Sequence, residues 1–227
     1  MLAVQDKPIF YPESDGKPMA ETDVHRKLLN NTIDLLQNAF PDAYVSGNIC
    51  LYYEKGNPKK MISPDALLCL SQSPHQKRTY RTWEEHAQLD LVMEFSSFST
   101  QRIDHNKKKN LYQDELQVPY YVIFDPHGVY LTTYERINGD YQLIEADEKG
   151  RCHLPDLGLQ VGIEDGNGLR LYDKNGTAIL NSAEQGQQTA HNEAQRADNE
   201  TQRANDLEKQ LQQVQKELQA LRANAKE

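Results

Sequence analysis

The sequence contains few of the features that mark secreted, membrane-spanning or zinc-finger proteins. Its 227 residues include only three cysteines, Cys50, Cys69 and Cys152, and none of them has the C-x-x-C spacing of a zinc site. Because an odd, widely spaced set is also unlike a disulfide framework, we expect reduced thiols and a cytoplasmic protein. The longest apolar runs have the length of a strand, so we expect no membrane-spanning helix. The first residues lack the basic and apolar segments of a secretory signal, and we expect none.

Positive charge is also scarce, since 25 Lys and Arg residues stand against 34 Asp and Glu residues, giving a net charge of −9. This balance excludes a protein that coats nucleic acid through general electrostatic attraction. It is compatible with an enzyme that contacts DNA locally, through a metal ion and a few lysines.

Aromatic residues are absent from the last part of the chain, residues 181–227, which is rich in glutamine and alanine. Such a segment cannot bury a core of its own. Its apolar residues alternate at spacings of three and four, which is the pattern of a coiled coil. The clearest stretch is 204–221, with Ala204, Leu207, Leu211, Val214, Leu218 and Leu221. We therefore predict a helical coiled-coil tail at 181–227 that joins copies of the chain into a homo-oligomer. The alternative is a solvated helix without a partner.

The remaining chain, predicted to be one domain at residues 1–175, alternates between helix and strand signals. Residues 1–20 contain three prolines and are predicted to be an extended arm. Thr22 or Asp23 can cap a first helix that runs to about Ala39. Further segments are predicted at 44–53 (strand with a kink at Gly47), 66–70 and 89–95 (strands), 104–116 (helix capped by Asp104), 120–124 (strand) and 129–144 (hairpin). This order predicts an α/β fold in which a mixed β-sheet is flanked by helices.

Two acidic residues are candidate site residues because each lies in or next to an apolar strand. Asp65 directly precedes the run ALLCL, and Glu94 lies near the end of the run LVMEF. Burial of an unpaired carboxylate is costly, so such residues require a cation, hydrogen bonds or solvent. Two carboxylates on neighbouring strands suit Mg²⁺, which binds through one or two carboxylates together with water and phosphate oxygens. The alternatives are a turn residue for Asp65 and a solvent-facing strand end for Glu94.

Hydrolysis of a phosphodiester also requires a positive group near the attacking water. The predicted helix at 104–116 carries three consecutive lysines, of which at most two can face a site on the strands. Lys108 lies one turn after Asp104 and one turn before Tyr112. The alternative is a solvated basic turn.

Four short motifs follow one another between residues 64 and 126. They are PD at 64–65, EFSSFST at 94–100, D-x-x-x-K-x-x-x-Y at 104–112 and VPYYVIFDP at 118–126. In order and spacing they resemble the Uma-type endonuclease family, part of the restriction endonuclease-like PD-(D/E)XK superfamily. The resemblance covers roughly residues 10–175 and includes the helical tail found in cyanobacterial-type members.

This resemblance implies a restriction endonuclease-like fold with a metal site on its strands. Asp65 and Glu94 are the implied metal ligands and, with Lys108, the implied catalytic residues. The chain departs from the superfamily pattern at Ser96, where a lysine is expected, and Lys108 matches the lysine that family members carry on the following helix. The function implied is a Mg²⁺-dependent endonuclease, with Mn²⁺ as a substitute, that hydrolyses DNA. The alternative is a catalytically weak nuclease-fold module that is assembled through its coiled coil and serves as a scaffold.

Several other residues are predicted to have structural roles. Asp90 shares a strand face with Glu94 but lies roughly 13 Å away, too far to share its metal ion. Trp83 is predicted to pack rather than to stack on a base, and His25 to be a surface or packing residue. The basic stretch 75–81 either holds a phosphate backbone or is a solvated loop.

Overall fold

The structure is a computed structural model that describes residues 9–14, 16, 22–96, 103–164 and 168–224. The chain divides into two units, Met1–Asn181 and Ser182–Glu227. In the described part of the chain, no helix is both long and apolar enough to cross a lipid bilayer.

The first unit contains short helices and two small sheets around a central sheet. Its helices are α1 (Asp23–Ala39), α2 (Thr82–Glu85) and α3 (Ile103–Asn110), followed by a π-helical turn at Leu111–Glu115. Its strands are β1 (Tyr44–Ser46), β2 (Leu51–Tyr52), β3 (Met61–Ile62), β4 (Ala66–Cys69), β5 (Tyr80–Arg81), β6 (Leu91–Phe95), β7 (Tyr120–Asp125), β8 (Tyr130–Ile137), β9 (Asp140–Leu143), β10 (Arg151–Leu154), β11 (Leu159–Glu164) and β12 (Gly168–Asp173).

The central sheet has six strands in the order β1-β4-β6-β7-β8-β9. Only the pair β6–β7 is parallel, so the sheet is mixed. Every residue of β4, β6 and β7 is buried, which explains why these three strands have nearly continuous apolar sequences. The predicted fold class, a mixed sheet flanked by helices, is confirmed.

Helix α1 covers one face of the central sheet. Its buried leucines recur at helical spacing and pack onto apolar side chains of β4, β6 and β7. Thr22 caps the helix, since its Oγ1 accepts a hydrogen bond of 3.2 Å from the backbone N of His25. A three-stranded sheet, β10-β11-β12, contributes Leu154, Val161 and Leu171 to the same core.

The opposite face is covered by the small sheet β3-β2-β5 and by the π-helical turn. This second core is rich in tyrosine, and Tyr112 of the π-helical turn contacts Tyr121 of β7 with 5.0 Å between ring centroids. The two cores bury both surfaces of β6, the strand that carries Glu94.

The predicted strand at 44–53 is broken at the predicted kink. Its first half, β1, belongs to the central sheet, whereas its second half, β2, belongs to the small sheet, so the prediction of one strand is wrong. Gly47 lies at the break because a Cβ there would be 2.1 Å from the carbonyl oxygen of Asp65. Asn48 has a φ of 50°, and its N–H donates to the carbonyl of Pro64 at 2.9 Å.

Two other predictions about turns and helix ends have opposite outcomes. The predicted hairpin is present as β8 and β9, and both residues between them, Asn138 (φ 52°) and Gly139 (φ 98°), have the positive φ of a type I′ turn. In the described residues the helix already includes Ile103, so Asp104 lies within it and is not the predicted N-cap.

The second unit contains one helix, α4 (Ser182–Asn224). The helix itself is confirmed, and the coiled coil remains a prediction. Its larger apolar side chains are exposed; they are Leu207, Leu211, Val214 and Leu218.

Candidate active site

The pairing of β4 with β6 brings the two candidate carboxylates together. Ala66 is opposite Met93 in this antiparallel pair, so Asp65, one residue before β4, lies beside Glu94. The backbone N–H of Phe95 donates a 2.6 Å hydrogen bond to Oδ2 of Asp65. Both side chains are shielded from solvent, because Asp65 is 9% exposed and Glu94 is 4% exposed.

Helix α3 and the π-helical turn supply two donors to Glu94. The Lys108 Nζ lies 2.6 Å from Oε2, and the Tyr112 hydroxyl donates to Oε1 at 2.6 Å. Tyr112 is fully buried, whereas the Lys108 side chain is 32% exposed. Because the two contacts engage different oxygens, they fix the orientation of the Glu94 carboxylate.

Burial also changes the acidity of this site. Removal from water, the largest effect, raises the pKa of Glu94 to about 7, although the ammonium of Lys108 lowers it and the charge of Asp65 raises it further. Burial and the adjacent Glu94 raise the pKa of Tyr112 well above its ordinary value, so its hydroxyl stays a donor. Burial therefore favours the protonated form of Glu94 more than that of an exposed glutamate.

His25 is a member of this cluster that the sequence reasoning missed. Its Nε2 lies 3.4 Å from Oδ1 of Asp65, and its ring packs edge-on against Phe95 with 6.0 Å between centroids. The predicted packing role is present, but the contact with Asp65 was not foreseen. Its position in the first turn of a helix packed on β4 and β6 was the available signal.

The donor set fits Mg²⁺. In the part of the chain that the structure describes, no group of three His, Cys, Asp or Glu side chains is arranged to hold a metal. Two hard carboxylate oxygen donors remain, and Mg²⁺ commonly takes one or two carboxylates and completes its shell with water and phosphate. Two residues after Glu94 in the sequence, Ser96 Oγ is buried and has no hydrogen-bond partner within the described ranges. A buried polar atom of this kind fits a site that is completed by a ligand.

Asp90 and Trp83 lie where their predicted structural roles place them. The Oδ2 of Asp90 accepts a 2.7 Å hydrogen bond from the backbone N of Leu70. The Trp83 ring packs on the Tyr11 ring with 5.3 Å between centroids.

The basic stretch 75–81 has acidic partners close by. Lys77 is nearly buried and pairs with Glu85 at 2.5 Å. Arg78 pairs with Glu13 at 2.7 Å, and Arg81 pairs with Glu84 at 3.0 Å. These pairs offset the positive charge, which favours the structural alternative for this loop.

Two comparisons with known proteins find similar sequences or structures. A sequence model of the Uma2 family, described as "Putative restriction endonuclease", matches residues 7–171, a range that includes Asp65, Glu94 and Lys108. A solved structure described as "a putative nuclease belonging to DUF820 from Anabaena variabilis" is similar, with a TM-score of 0.46 and 11% identity. That similarity covers 62% of this chain and 76% of the other. A search of curated proteins finds no match.

Proposed function

The chain belongs to the Uma2 restriction endonuclease family, and on this premise we propose that it is a Mg²⁺-dependent endonuclease that hydrolyses DNA phosphodiester bonds. Asp65 and Glu94 hold the metal ion, for which Mn²⁺ can substitute, and Lys108 assists the attacking water. The three cysteines are buried and in the thiol form, which suits the reducing cytoplasm as its location.

The observation that carries this proposal is the convergence of two carboxylates and one ammonium group at the end of β6. Asp65 receives the backbone N–H of Phe95, which fixes its side chain toward Glu94. Lys108 reaches Glu94 from the next helix at 2.6 Å, although the superfamily lysine position is occupied by Ser96. The three residue types required for metal-assisted phosphodiester hydrolysis are therefore adjacent.

Each residue contributes a separate part of the chemistry. A bound Mg²⁺ lowers the pKa of water and offsets charge on the phosphate oxygens. Lys108 adds a second positive charge, orients the nucleophilic water and stabilises the negative charge that develops on the phosphoryl group. Tyr112 holds Glu94 in place, and the partial exposure of Lys108 gives a substrate access to its ammonium group.

Substitution of Glu94 tests the metal site. We expect Glu94→Gln to lower Mg²⁺-dependent nicking of supercoiled plasmid by about a hundredfold or more. Calorimetric titration with Mg²⁺ or Mn²⁺ should show weaker binding by Glu94→Gln and by Asp65→Asn. Asp90→Asn is the matched control, because Asp90 lies just before the same strand but hydrogen-bonds Leu70. Wild-type activity in Glu94→Gln rejects this site.

Substitution of Lys108 tests the role of the ammonium group. Lys108→Met should lower kcat while metal binding persists, because the metal ligands remain. Lys109→Met is the control, since the Lys109 Nζ lies 4.1 Å from the centroid of the Tyr134 ring and contacts neither carboxylate. Equal activities of the two variants contradict the proposed role of Lys108.

A second function, assembly through α4, is supported by the exposed apolar stripe of that helix. Leu207, Leu211, Val214 and Leu218 are 65%, 60%, 57% and 46% exposed, respectively. Their alternating spacing of four and three is that of a coiled-coil seam, and a second copy of the chain carries the complementary stripe. On this alternative the nuclease-fold body is a scaffold module with little activity.

Charged substitutions within the stripe test the assembly role. Leu211→Lys combined with Leu218→Lys should convert an oligomer to a monomer in analytical ultracentrifugation. Gln212→Lys, which adds charge outside the stripe, should leave the mass unchanged. A wild-type chain that sediments as a monomer excludes self-association through α4.

A further inference from the structure

A cleft adjoins the carboxylate site on the side of α3. Its cavity volume is about 360 Å³, and it lies between the β2–β3 hairpin and the segment formed by α3 and the π-helical turn. Lys108 lines this cleft and also contacts Glu94. Lys108 therefore borders both the cleft and the proposed reaction centre.

Three positively charged side chains line this cleft. Lys60, Lys107 and Lys108 all line it, although the chain as a whole is acidic. Lys60 is 3.8 Å from Glu54, and both side chains are about half exposed. An exposed ion pair of this kind contributes little stability, so Lys60 can exchange Glu54 for a phosphate at little cost. Three ammonium groups around one cleft suit a nucleic-acid backbone, because each lysine can pair with one negatively charged phosphate.

An aromatic ring and two acidic side chains also line the cleft. The half-buried Tyr53 ring lines the cleft, with the Nζ of Lys60 5.7 Å from its centroid. A nucleic-acid base can stack on such a ring regardless of its sequence. Asp114 and Glu115 line the cleft as well, and their carboxylates can accept hydrogen bonds from the amino groups of a base but repel a phosphate.

The size of the cleft limits what it can hold. A volume of about 360 Å³ lies at the lower end of the range for small-ligand sites and suits one nucleotide rather than a duplex. A base within a duplex is stacked on both faces, so it must be unpaired and extruded before it can reach Tyr53.

On the basis of the nuclease function proposed above, we propose that this cleft binds one unpaired nucleotide of the DNA strand beside the scissile phosphate. Lys60 and Lys107 hold its phosphate, and the Tyr53 ring stacks on its base. The preferred substrate is accordingly single-stranded DNA, or duplex DNA with an unpaired position.

Kinetics on three labelled oligonucleotides test this inference. The probes share one mixed sequence and are a single strand, a duplex with a central mismatched bubble and a fully paired duplex. With Mg²⁺, the full-length wild type should show a lower KM for the first two. Lys60→Ala and Lys107→Ala should each raise KM without lowering kcat, and each should reduce the salt dependence of binding by about 0.7 in slope on the single strand.

Matched variants distinguish the contribution of the cleft residues from the general effect of removing a positive charge from the surface. Lys59→Ala removes an exposed neighbour of Lys60 that does not line the cleft, and its KM should equal that of the wild type. Tyr53→Ala should raise KM for the single strand about tenfold, whereas Tyr53→Phe, which keeps the ring, should not. If Lys60→Ala, Lys107→Ala and Tyr53→Ala all have the same KM as Lys59→Ala, the proposed nucleotide-binding role of the cleft is rejected. The proposed nuclease function is not affected by that result.

Binding measured by fluorescence anisotropy distinguishes failure of the cleft from failure of the nuclease proposal. If the wild type cleaves no probe but binds the single strand, and Lys60→Ala and Tyr53→Ala weaken that binding, the cleft is supported and the nuclease function is rejected. If the wild type neither binds nor cleaves any probe, both proposals are rejected.

Discussion

Glu94 is subject to opposing effects on its charge. Burial disfavours the carboxylate, whereas Lys108 and Tyr112 each stabilise it at 2.6 Å. Burial has the larger effect, because the resulting pKa is about 7 against an ordinary value of 4.5. Ionisation of this buried carboxyl group is therefore unfavourable for stability, and a cation bound beside it would offset that cost.

This raised pKa makes a prediction about stability in the absence of metal. Between pH 4.5 and pH 7 the folded state keeps the Glu94 proton that the unfolded chain has lost, so wild-type stability falls as pH rises through this window. Glu94→Gln carries no charge there and should be more stable than the wild type above pH 7, by on the order of 3 kcal/mol. Urea unfolding in EDTA at several pH values measures the difference.

The same experiment with Mg²⁺ provides the control. Metal binding to the native state should stabilise the wild type and leave Glu94→Gln unaffected. The stability advantage of Glu94→Gln over the wild type should therefore become smaller or change sign. A Gln variant that is less stable than the wild type at pH 8 in EDTA would mean that Glu94 does not have a raised pKa.

Tyr112 makes a second prediction at the scale of one residue. Tyr112→Phe removes a hydrogen bond to a buried charge and should cost roughly 1.5–3 kcal/mol of stability where Glu94 is ionised. It should also raise the pKa of Glu94 further, because the hydroxyl lowers that pKa, and so move the acidic limb of the pH–kcat/KM profile upward. Urea unfolding and the pH profile measure the two effects.

Tyr121 offers a matched control for this substitution. Its ring lies 5.0 Å from that of Tyr112, yet its hydroxyl has no hydrogen-bond partner in the described part of the chain. Tyr121→Phe should therefore be neutral or stabilising and leave the pH profile unchanged. Equal effects of the two substitutions would show that the Tyr112 hydroxyl has no specific role.

The candidate residues could be predicted to different extents. Asp65 and Glu94 were identified because carboxylates are rare on apolar strands, and their adjacency follows from the pairing of β4 with β6. Lys108 depended on the family resemblance, since helical periodicity alone cannot choose among three consecutive lysines. His25 was missed because its contact with Asp65 depends on how α1 crosses the sheet, which no local pattern encodes.

Two irregular elements position the site. The π-helical turn at Leu111–Glu115 changes the helical phase just where Tyr112 reaches Glu94, and such turns are frequent at functional sites. On the other side, the chain leaves β1 at Gly47 and crosses directly over the backbone of Asp65. Both metal-ligand candidates are thus held by backbone departures from regular structure.

Gly47→Ala tests the second of these elements. The added Cβ would lie 2.1 Å from the Asp65 carbonyl oxygen and 2.7 Å from Cδ1 of Ile33, so the backbone has to move. We expect a loss of about 1–3 kcal/mol in stability and weaker Mg²⁺ binding, because Asp65 is displaced from Phe95. Chemical unfolding and calorimetry measure the two effects.

Gly186→Ala is the control for this substitution. Nothing lies within 4 Å of a Cβ at this exposed position of α4, so the change should be neutral or favour the helix. Unchanged Mg²⁺ binding by Gly47→Ala would mean that the close approach of Gly47 to the backbone of Asp65 does not position Asp65.

Regular elements were easier to predict than short or crossing ones. α1 and the β8–β9 hairpin were predicted because helix caps and an Asn-Gly turn are local signals. The small sheet β3-β2-β5 was not predicted, because its two-residue strands carry no periodicity and depend on a partner distant in the sequence. The β10-β11-β12 sheet was also missed, since the prediction assigned no strands after residue 144.

The two units of the molecule have different physical characters. Among the residues that the structure describes, the buried core residues of the first unit lie between Leu28 and Leu171. The segment before α4 is held to α1, because Asn38 donates to the carbonyl of Leu180 and Asn181 donates to Asn31, each at 2.9 Å. The structural boundary thus falls after Asn181.

This boundary predicts the effect of truncation. A chain ending at Asn181 should unfold in one cooperative transition at the temperature of the full-length body and should bind Mg²⁺ with the same affinity, while its mass falls to that of a monomer. A chain ending at Gly176 is the matched comparison; it lacks the two asparagine contacts and the hydrogen bond from Ile179 N to Leu171 O, and it should unfold at a lower temperature. Calorimetry and light scattering measure these outcomes. If the chain ending at Asn181 also unfolds at a lower temperature than the full-length chain, α4 stabilises the first unit. The proposed separation of a catalytic unit from an assembly unit is then wrong.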